Sequence, residues 1–322
     1  MLPAPPVAPP VVRVGGLTMR YPNGVTALAG LDVAVPKGSV GLVGANGAGK
    51  TTMFRLLLGL VPPTAGWVEV AGRSVADDPV GVRSRVGYMP EHDCLPLDQS
   101  AADLVATFGE IAGLPARAAR QRASDMLDLV GLDEARFRPV GGFSTGMRQR
   151  TKLATALVAD PELVLLDEPT AGLDPVGREE MLGLVGRLSG FGISVLMATH
   201  LLDDVQRVCE HVVMIDRGHL VLAGPIDQLT QRTGVMRVEV GGGPADGDGR
   251  DGAARALGAA IGQRGVNAAL VDEQTLDIDT SGRGDDTFDL VRDTVADLDL
   301  RLYSLSTRHR SLDDLFVHRG PQ

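Results

Sequence analysis

The run Gly44-Ala45-Asn46-Gly47-Ala48-Gly49-Lys50-Thr51 fits the phosphate-cradling pattern G-x-x-x-x-G-K-[ST]. Its glycines let successive backbone N–H groups curl around phosphate oxygens, and the helix that follows adds its positive N-terminal end. In this pattern Lys50 reaches the β- and γ-phosphates of a triphosphate, the Thr51 hydroxyl ligates Mg²⁺, and Thr52 counts with the phosphate contacts. A second constellation closes the apolar run Leu163-Val164-Leu165-Leu166 with Asp167 and Glu168. Carboxylates at the end of a buried strand are costly unless partnered. Mg²⁺ would satisfy Asp167, and Glu168 would face the γ-phosphate and orient or deprotonate the attacking water. Taken alone, the pair also describes a solvated strand end; the phosphate loop upstream favours the site.

These residues are common to many phosphate-loop ATPases. The class narrows at Phe143-Ser144-Thr145-Gly146-Met147, which precedes Arg148-Gln149-Arg150 and a helical stretch. Alone, Ser144 would be a helix cap. Set between a helical segment and the Asp167 strand, the run resembles the LSGGQ signature of the ABC (ATP-binding cassette) family, in a variant form found among exporter ATPases. The resemblance extends over residues 13 to 228. It implies that Ser144 and Gly146 bind the γ-phosphate of ATP held by an opposite subunit, and that Tyr21 stacks on adenine. It also implies that Ala171-Gly172-Leu173-Asp174 is the loop crossing the dimer interface, and that His200, ending the run Ser194–His200, is the switch histidine at the γ-phosphate. A lone tyrosine would otherwise be packing, and a lone histidine at a strand end structural.

One position departs from the family pattern. Glu91, in Gly87-Tyr88-Met89-Pro90-Glu91, stands where the family usually has Gln. Glu still ligates Mg²⁺ or accepts a hydrogen bond from water, but when ionised it donates none. The resemblance therefore implies ATP and Mg²⁺ as cofactors, a second ATPase subunit (identical or a paralogue), and a separate membrane permease. It places the chain at the cytoplasmic face of the cell membrane. The ending Ser311-Leu312-Asp313-Asp314-Leu315-Phe316 is similar to ATPases that serve exporters of drugs, antibiotics, lipids or polysaccharides. A non-transport ABC ATPase and a regulatory nucleotide-binding module stand as alternatives; Glu91 alone favours the second.

The elements that must position these residues can be read from hydrophobic period. Short apolar runs broken by Pro22-Asn23-Gly24 and Pro36-Lys37-Gly38 predict strands between residues 11 and 43, and a helix over 51–60 follows the phosphate loop. Residues 66–90 read as short strands, and 98–160 as helical throughout, within an insertion of about 92–160. Leu163–Asp167 and Ser194–His200 read as buried strands around an amphipathic helix near 175–189, the pattern of a parallel α/β core. After Gly224-Pro225 the order strand 235–240, helix 253–263, strands 267–271 and 275–280, helix 286–298, strand 300–307 is that of a ferredoxin-like unit. The expected fold is thus α/β: a P-loop NTPase ABC cassette with an N-terminal β-subdomain and helical insertion, plus a small C-terminal α+β domain. Its boundaries are a Pro-rich tail at 1–12, the cassette at 13–228 and the accessory domain at 229–322.

Bulk properties agree. Length 322 suggests about two domains at roughly 150 residues each, and 44% hydrophobic residues suffice for packed cores. A net charge of −10 argues against a nucleic-acid partner, which needs a positive surface. Cys94 and Cys209 have no metal-ligand spacing, fitting a reducing compartment. No run reaches the ~18 apolar residues of a membrane span, and the proline-broken start is no signal peptide, so a soluble chain is expected.

Overall fold

The computed structural model describes residues 9–230, 232–242, 252–280 and 286–309. Most of the Pro-rich start, most of the Gly-rich stretch near 241–252 and the Ser311–Phe316 ending lie outside them. The chain divides into two compact units, Met1–Ile226 and Asp227–Gln322.

The larger unit opens with β1 (Val12–Arg20) and β2 (Thr26–Val35), which alternate inward and outward residues. Val12, Val14, Leu17 and Met19 of β1 face the core with Leu28, Leu31, Val33 and Val35 of β2. That period-2 pattern makes a half-buried antiparallel sheet. β3 (Ser39–Val43) is instead buried at every position and leads through the phosphate loop into α1 (Lys50–Leu57). β4 (Ala65–Val70) and β5 (Arg73–Ser74) return to the antiparallel sheet, whose order is β2-β1-β4-β5. The expected strands of 66–90 are interrupted by α2 (Pro79–Arg83), where Pro79 presets the first turn and Asp78 accepts from Gly81 N at 2.8 Å. β6 (Val86–Met89) then joins the other sheet.

Next come α3 (Ala101–Ile111), α4 (Ala116–Leu129) and α5 (Thr145–Leu157). The segment is not helical throughout: 3₁₀ turns at Glu134–Phe137 and Val140–Gly142 separate α4 from α5, where Pro139, Gly141 and Gly142 cannot sustain an α-helix. The core resumes with β7 (Leu163–Asp167), α6 (Pro175–Leu188), β8 (Ser194–Thr199), α7 (Leu202–Val208), β9 (His211–Asp216) and β10 (His219–Pro225). The second sheet has the order β10-β9-β3-β8-β7-β6. Its pairs from β9 to β6 are parallel, with Val40 opposite Leu196 and Leu165 opposite both Leu196 and Tyr88. β7 and β8 are buried at every residue, as strands covered on both faces must be. No described helix is long and apolar enough to cross a membrane.

A single helical turn, α8 (Ile226–Leu229), precedes the elements of the smaller unit. These are β11 (Arg232–Gly241), α9 (Ala253–Gln263), β12 (Ala268–Leu270), β13 (Thr275–Asp279), α10 (Asp286–Asp297) and β14 (Arg301–His309). Its sheet, ordered β12-β13-β11-β14, is antiparallel at each pairing. Met236, Val238 and Val240 meet Leu257, Ile261, Val291 and Val295 in a core of its own.

Candidate functional site

Parallel neighbours bring their carboxyl ends to one edge, and the spatial order β3-β8-β7-β6 sets the site. The phosphate loop follows β3, His200 follows β8, Asp167 ends β7 with Glu168 next to it, and Glu91 lies two residues past β6. Residues far apart in sequence thus meet in a cleft of about 420 Å³ lined by Tyr21, Asn46, Gly47, Gly49, Lys50, Thr51, Thr52, Glu91, Asp167 and Glu168, with Val25, Thr26 and Ala27 on one side.

The loop owes its shape to Gly49, at φ +109°, where a Cβ would come within 2.5 Å of the Ala27 carbonyl oxygen. No other residue type fits there. Ala48 N donates to Ala45 O at 3.0 Å, and Gly218 N to Ala48 O at 3.1 Å. α1 starts at Lys50 with no side-chain cap and no acid in its first turn, so its first N–H groups lack a side-chain acceptor. Lys50 is buried; its Nζ donates to Gly44 O at 2.7 Å and Ala45 O at 3.4 Å, and stands 3.5 Å from Glu168 Oε1.

Asp167 is 2% exposed and accepts the Thr51 hydroxyl at 3.1 Å on Oδ2, while its Oδ1 is buried without a hydrogen-bond partner. Burial first, then the charges of Glu91 and Glu168, raise its pKa above the usual carboxylate value, against the Thr51 bond and Lys50, which lower it. A desolvated carboxylate with an orphaned oxygen beside a threonine hydroxyl fits two of the oxygen positions that a hard cation takes. Glu168 adopts φ +47°, a left-handed conformation uncommon for a non-glycine residue, which turns it off the strand end. Its two carboxylate oxygens each lie 3.1 Å from His200 Nδ1. The Tyr21 hydroxyl is 3.2 Å from the Thr52 hydroxyl, beside Val25, Thr26 and Ala27.

Ser144, Gly146 and Asp174 are not brought to this cleft. They line a second, open one with Gly172, Leu173 and Gly177. Ser144 caps α5, accepting from Met147 N at 3.2 Å, and Asp174 caps α6, accepting from Gly177 N at 2.8 Å.

Three further residues bear on the first cleft, and sequence reasoning gives them no role. The Tyr88 hydroxyl donates to Asp167 Oδ2 at 3.5 Å, and burial, then the Asp167 charge, push its pKa up to about 12. Its signal is its place in β6, beside the strand that ends in Asp167. Lys152 is 2% exposed and donates to the Pro90 and Glu91 carbonyls at 2.8 and 2.9 Å; burial pulls its pKa down. Asp204, wholly buried in α7, accepts the Thr170 hydroxyl at 2.7 Å and Arg178 Nε at 2.6 Å. A scarce lysine inside a helix is the only hint of the second, and nothing marks the third.

A family model described as ABC transporter matches residues 28–171. A daunorubicin resistance ATP-binding protein of Streptomyces coeruleorubidus is 34% identical over 315 residues, covering 97% of this chain and 96% of that protein. The chain belongs to the ABC transporter family. Within it the chain is an ATP-binding ATPase subunit, like a Nod factor export ATP-binding protein of Ralstonia nicotianae, 36% identical over 72% of this chain and 73% of that one. Among solved ABC structures, cbiO1 of Clostridium perfringens, part of the transporter complex cbiONQ, superposes with TM-score 0.62 at 27% identity, covering 69% of this chain and 90% of cbiO1. A dimeric ATP-binding cassette bound to ADP and Pi shares the fold, with TM-score 0.61 at 23% identity over 66% of this chain and 98% of its own.

Proposed function

We propose that the chain energises export through a separate transmembrane permease, hydrolysing ATP in sites shared between two ATPase subunits at the cytoplasmic face of the membrane. The observation that carries the shared site is the division of labour within one chain. Lys50, Thr51, Asp167, Glu168 and His200 gather at one cleft, while Ser144, Gly146 and Asp174 line another. A second copy would supply to the first cleft the donors that its own chain holds elsewhere. Export is supported by the relatives' names: resistance to daunorubicin, and Nod factor export.

In this reading the loop N–H groups of residues 44–51 and Lys50 hold the β- and γ-phosphates, and Tyr21 stacks on adenine. Thr51 and Asp167, with Glu91, hold Mg²⁺, which when bound neutralises charge developing on the phosphoryl oxygens. Glu168 takes the proton of the attacking water, and its left-handed backbone aims the carboxylate off the strand. His200, paired with Glu168 at 3.1 Å, fixes that carboxylate and reaches the γ-phosphate. Ser144 and Gly146 of one subunit, at the positive end of α5, close on the phosphate held by the other, and Asp174 sits at the interface. We take residues 13–228 as the cassette, 1–12 as a tail and 229–322 as an accessory ferredoxin-like domain.

The test is ATP hydrolysis by the purified chain against Glu168→Gln, with mass followed by light scattering. Loss of the base is expected to lower kcat by about 10²–10⁴-fold, while the variant still binds Mg-ATP and accumulates as dimers. Normal turnover by Glu168→Gln would remove the base assignment, and an ATP-bound monomer would remove the shared site.

A further inference from the structure

Among the three lysines of the chain, Lys152 is the one whose burial the phosphate chemistry does not explain. It rises from the middle of α5, is 2% exposed, and spends its ammonium on three successive main-chain carbonyls: Pro90 at 2.8 Å, Glu91 at 2.9 Å and His92 at 3.5 Å. An ammonium has three donors, so the segment that carries Glu91 takes all of them. One turn earlier on the same helix face, Arg148 Nε is 3.2 Å from Asp93 Oδ2, and its Nη1 donates to Phe143 O at 2.8 Å. Phe143 immediately precedes Ser144, the cap of α5. Residues 90–92 are therefore hydrogen-bonded at three points, and Asp93 is paired by charge, by one helix whose N-cap is Ser144.

A buried cation is expensive and is retained where its hydrogen bonds hold something in place. Glu91 itself is an exposed side chain on a segment that belongs to no helix or strand. Nothing in its own local structure fixes it, and the grip from α5 does.

We propose that Lys152, seconded by Arg148, is a positioning residue that fixes the Glu91 main chain to helix α5. The Glu91 carboxylate is then held at the edge of the cleft by the helix that Ser144 caps. The inference rests on the proposed role of Glu91 at the ATP cleft, and the link between Lys152 and Glu91 is testable separately from the shared site.

The experiment is a double-mutant cycle on ATP turnover by the full chain, combining Lys152→Met with Glu91→Ala. Lys152→Met keeps the length and removes the charge. It is expected to lower kcat about tenfold while KM for ATP changes less than threefold, and Lys152→Arg is expected to recover part of the loss. The double variant should fall within twofold of Glu91→Ala alone, because Lys152 acts through Glu91. A merely structural lysine would instead give losses that multiply, and that result overturns the proposal. So does wild-type kcat in Lys152→Met, or in Glu91→Ala. If Lys152→Met does not fold, Arg148→Gln, at a partly exposed side chain, takes its place in the cycle: a double variant no slower than Glu91→Ala supports the link, and multiplying losses overturn it. Failure of the shared site shows separately, as a Glu168→Gln variant that stays monomeric with ATP.

Discussion

At Asp167 two demands conflict, and the conflict marks function. A strand end at 2% exposure suits an apolar residue, yet here it carries a carboxylate with one oxygen orphaned. Its pKa stands above the ordinary 3.8, chiefly through burial. The fold therefore holds the proton more tightly than the unfolded chain does. Without a cation, this group begins to cost stability as pH rises above 3.8, and the cost is complete once pH has passed its folded value. Asp167→Asn removes that cost and keeps an acceptor for Thr51. We expect thermal unfolding of the nucleotide-free variant at pH 7 to show a gain of about 1 kcal/mol, fading as pH falls toward 3.8. The extra rise in Tm that Mg-ATP gives over ATP in EDTA should vanish with it. No gain at pH 7, or an undiminished Mg²⁺ effect, would mean that Asp167 is not the cation's ligand. Tyr88 completes the arrangement: with its hydroxyl held at about 12, it stays a donor to Asp167 at any working pH.

The elements around the site are tied by one buried network. Asp204 of α7 binds Arg178 of α6 at 2.6 Å and Thr170, in the turn after Glu168, at 2.7 Å. α7 begins two residues after His200, so the network sets the helix behind the histidine against the turn behind the glutamate. The two partners are unequally buried: Asp204 is sealed, whereas Arg178 keeps 33% of its side chain exposed. Losing the arginine strands a buried carboxylate, at roughly 3–5 kcal/mol. Losing the acid leaves a guanidinium that can reach water and an unbonded Thr170, at roughly 1–3 kcal/mol. Urea unfolding should therefore rank Arg178→Leu as more destabilising than Asp204→Ala; the reverse order would show that Asp204 draws little from the pair. This network is invisible in the sequence, because the choice of Arg178 as partner depends on how two helices pack, which no local period encodes. Lys152 escapes for the same reason, and α2 because five residues are too few to show a 3.6-residue period. By contrast, the phosphate loop, Asp167–Glu168 and His200 are legible, since each ends an apolar run and parallel strands deliver such ends to one edge. Ser144 and Asp174 are legible as motif residues, but their place in a second cleft is not, because it depends on where α5 and α6 stand in the fold.

Over the whole molecule, the two units differ in what a ligand can reach. Every residue named at the two clefts, His200 included, lies between residues 21 and 200, within the larger unit. Among its described residues the smaller unit has its own sheet, the helices α9 and α10, and a set of buried side chains running from Met236 to Val295. A unit with its own core unfolds as its own cooperative transition unless another unit shares that core. Ligand that binds only one native unit stabilises that one, by about 2.7 kcal/mol at a hundredfold excess over Kd. Scanning calorimetry of the full chain is therefore expected to resolve two transitions. Only one should move upward as Mg-ATP is titrated, and Lys50→Ala, which removes the phosphate-loop cation, should hold that one still while leaving the other where it was. A single transition that moves as a whole with Mg-ATP would mean that the units unfold together, and would make the smaller one part of the ATPase's stability rather than an accessory to it.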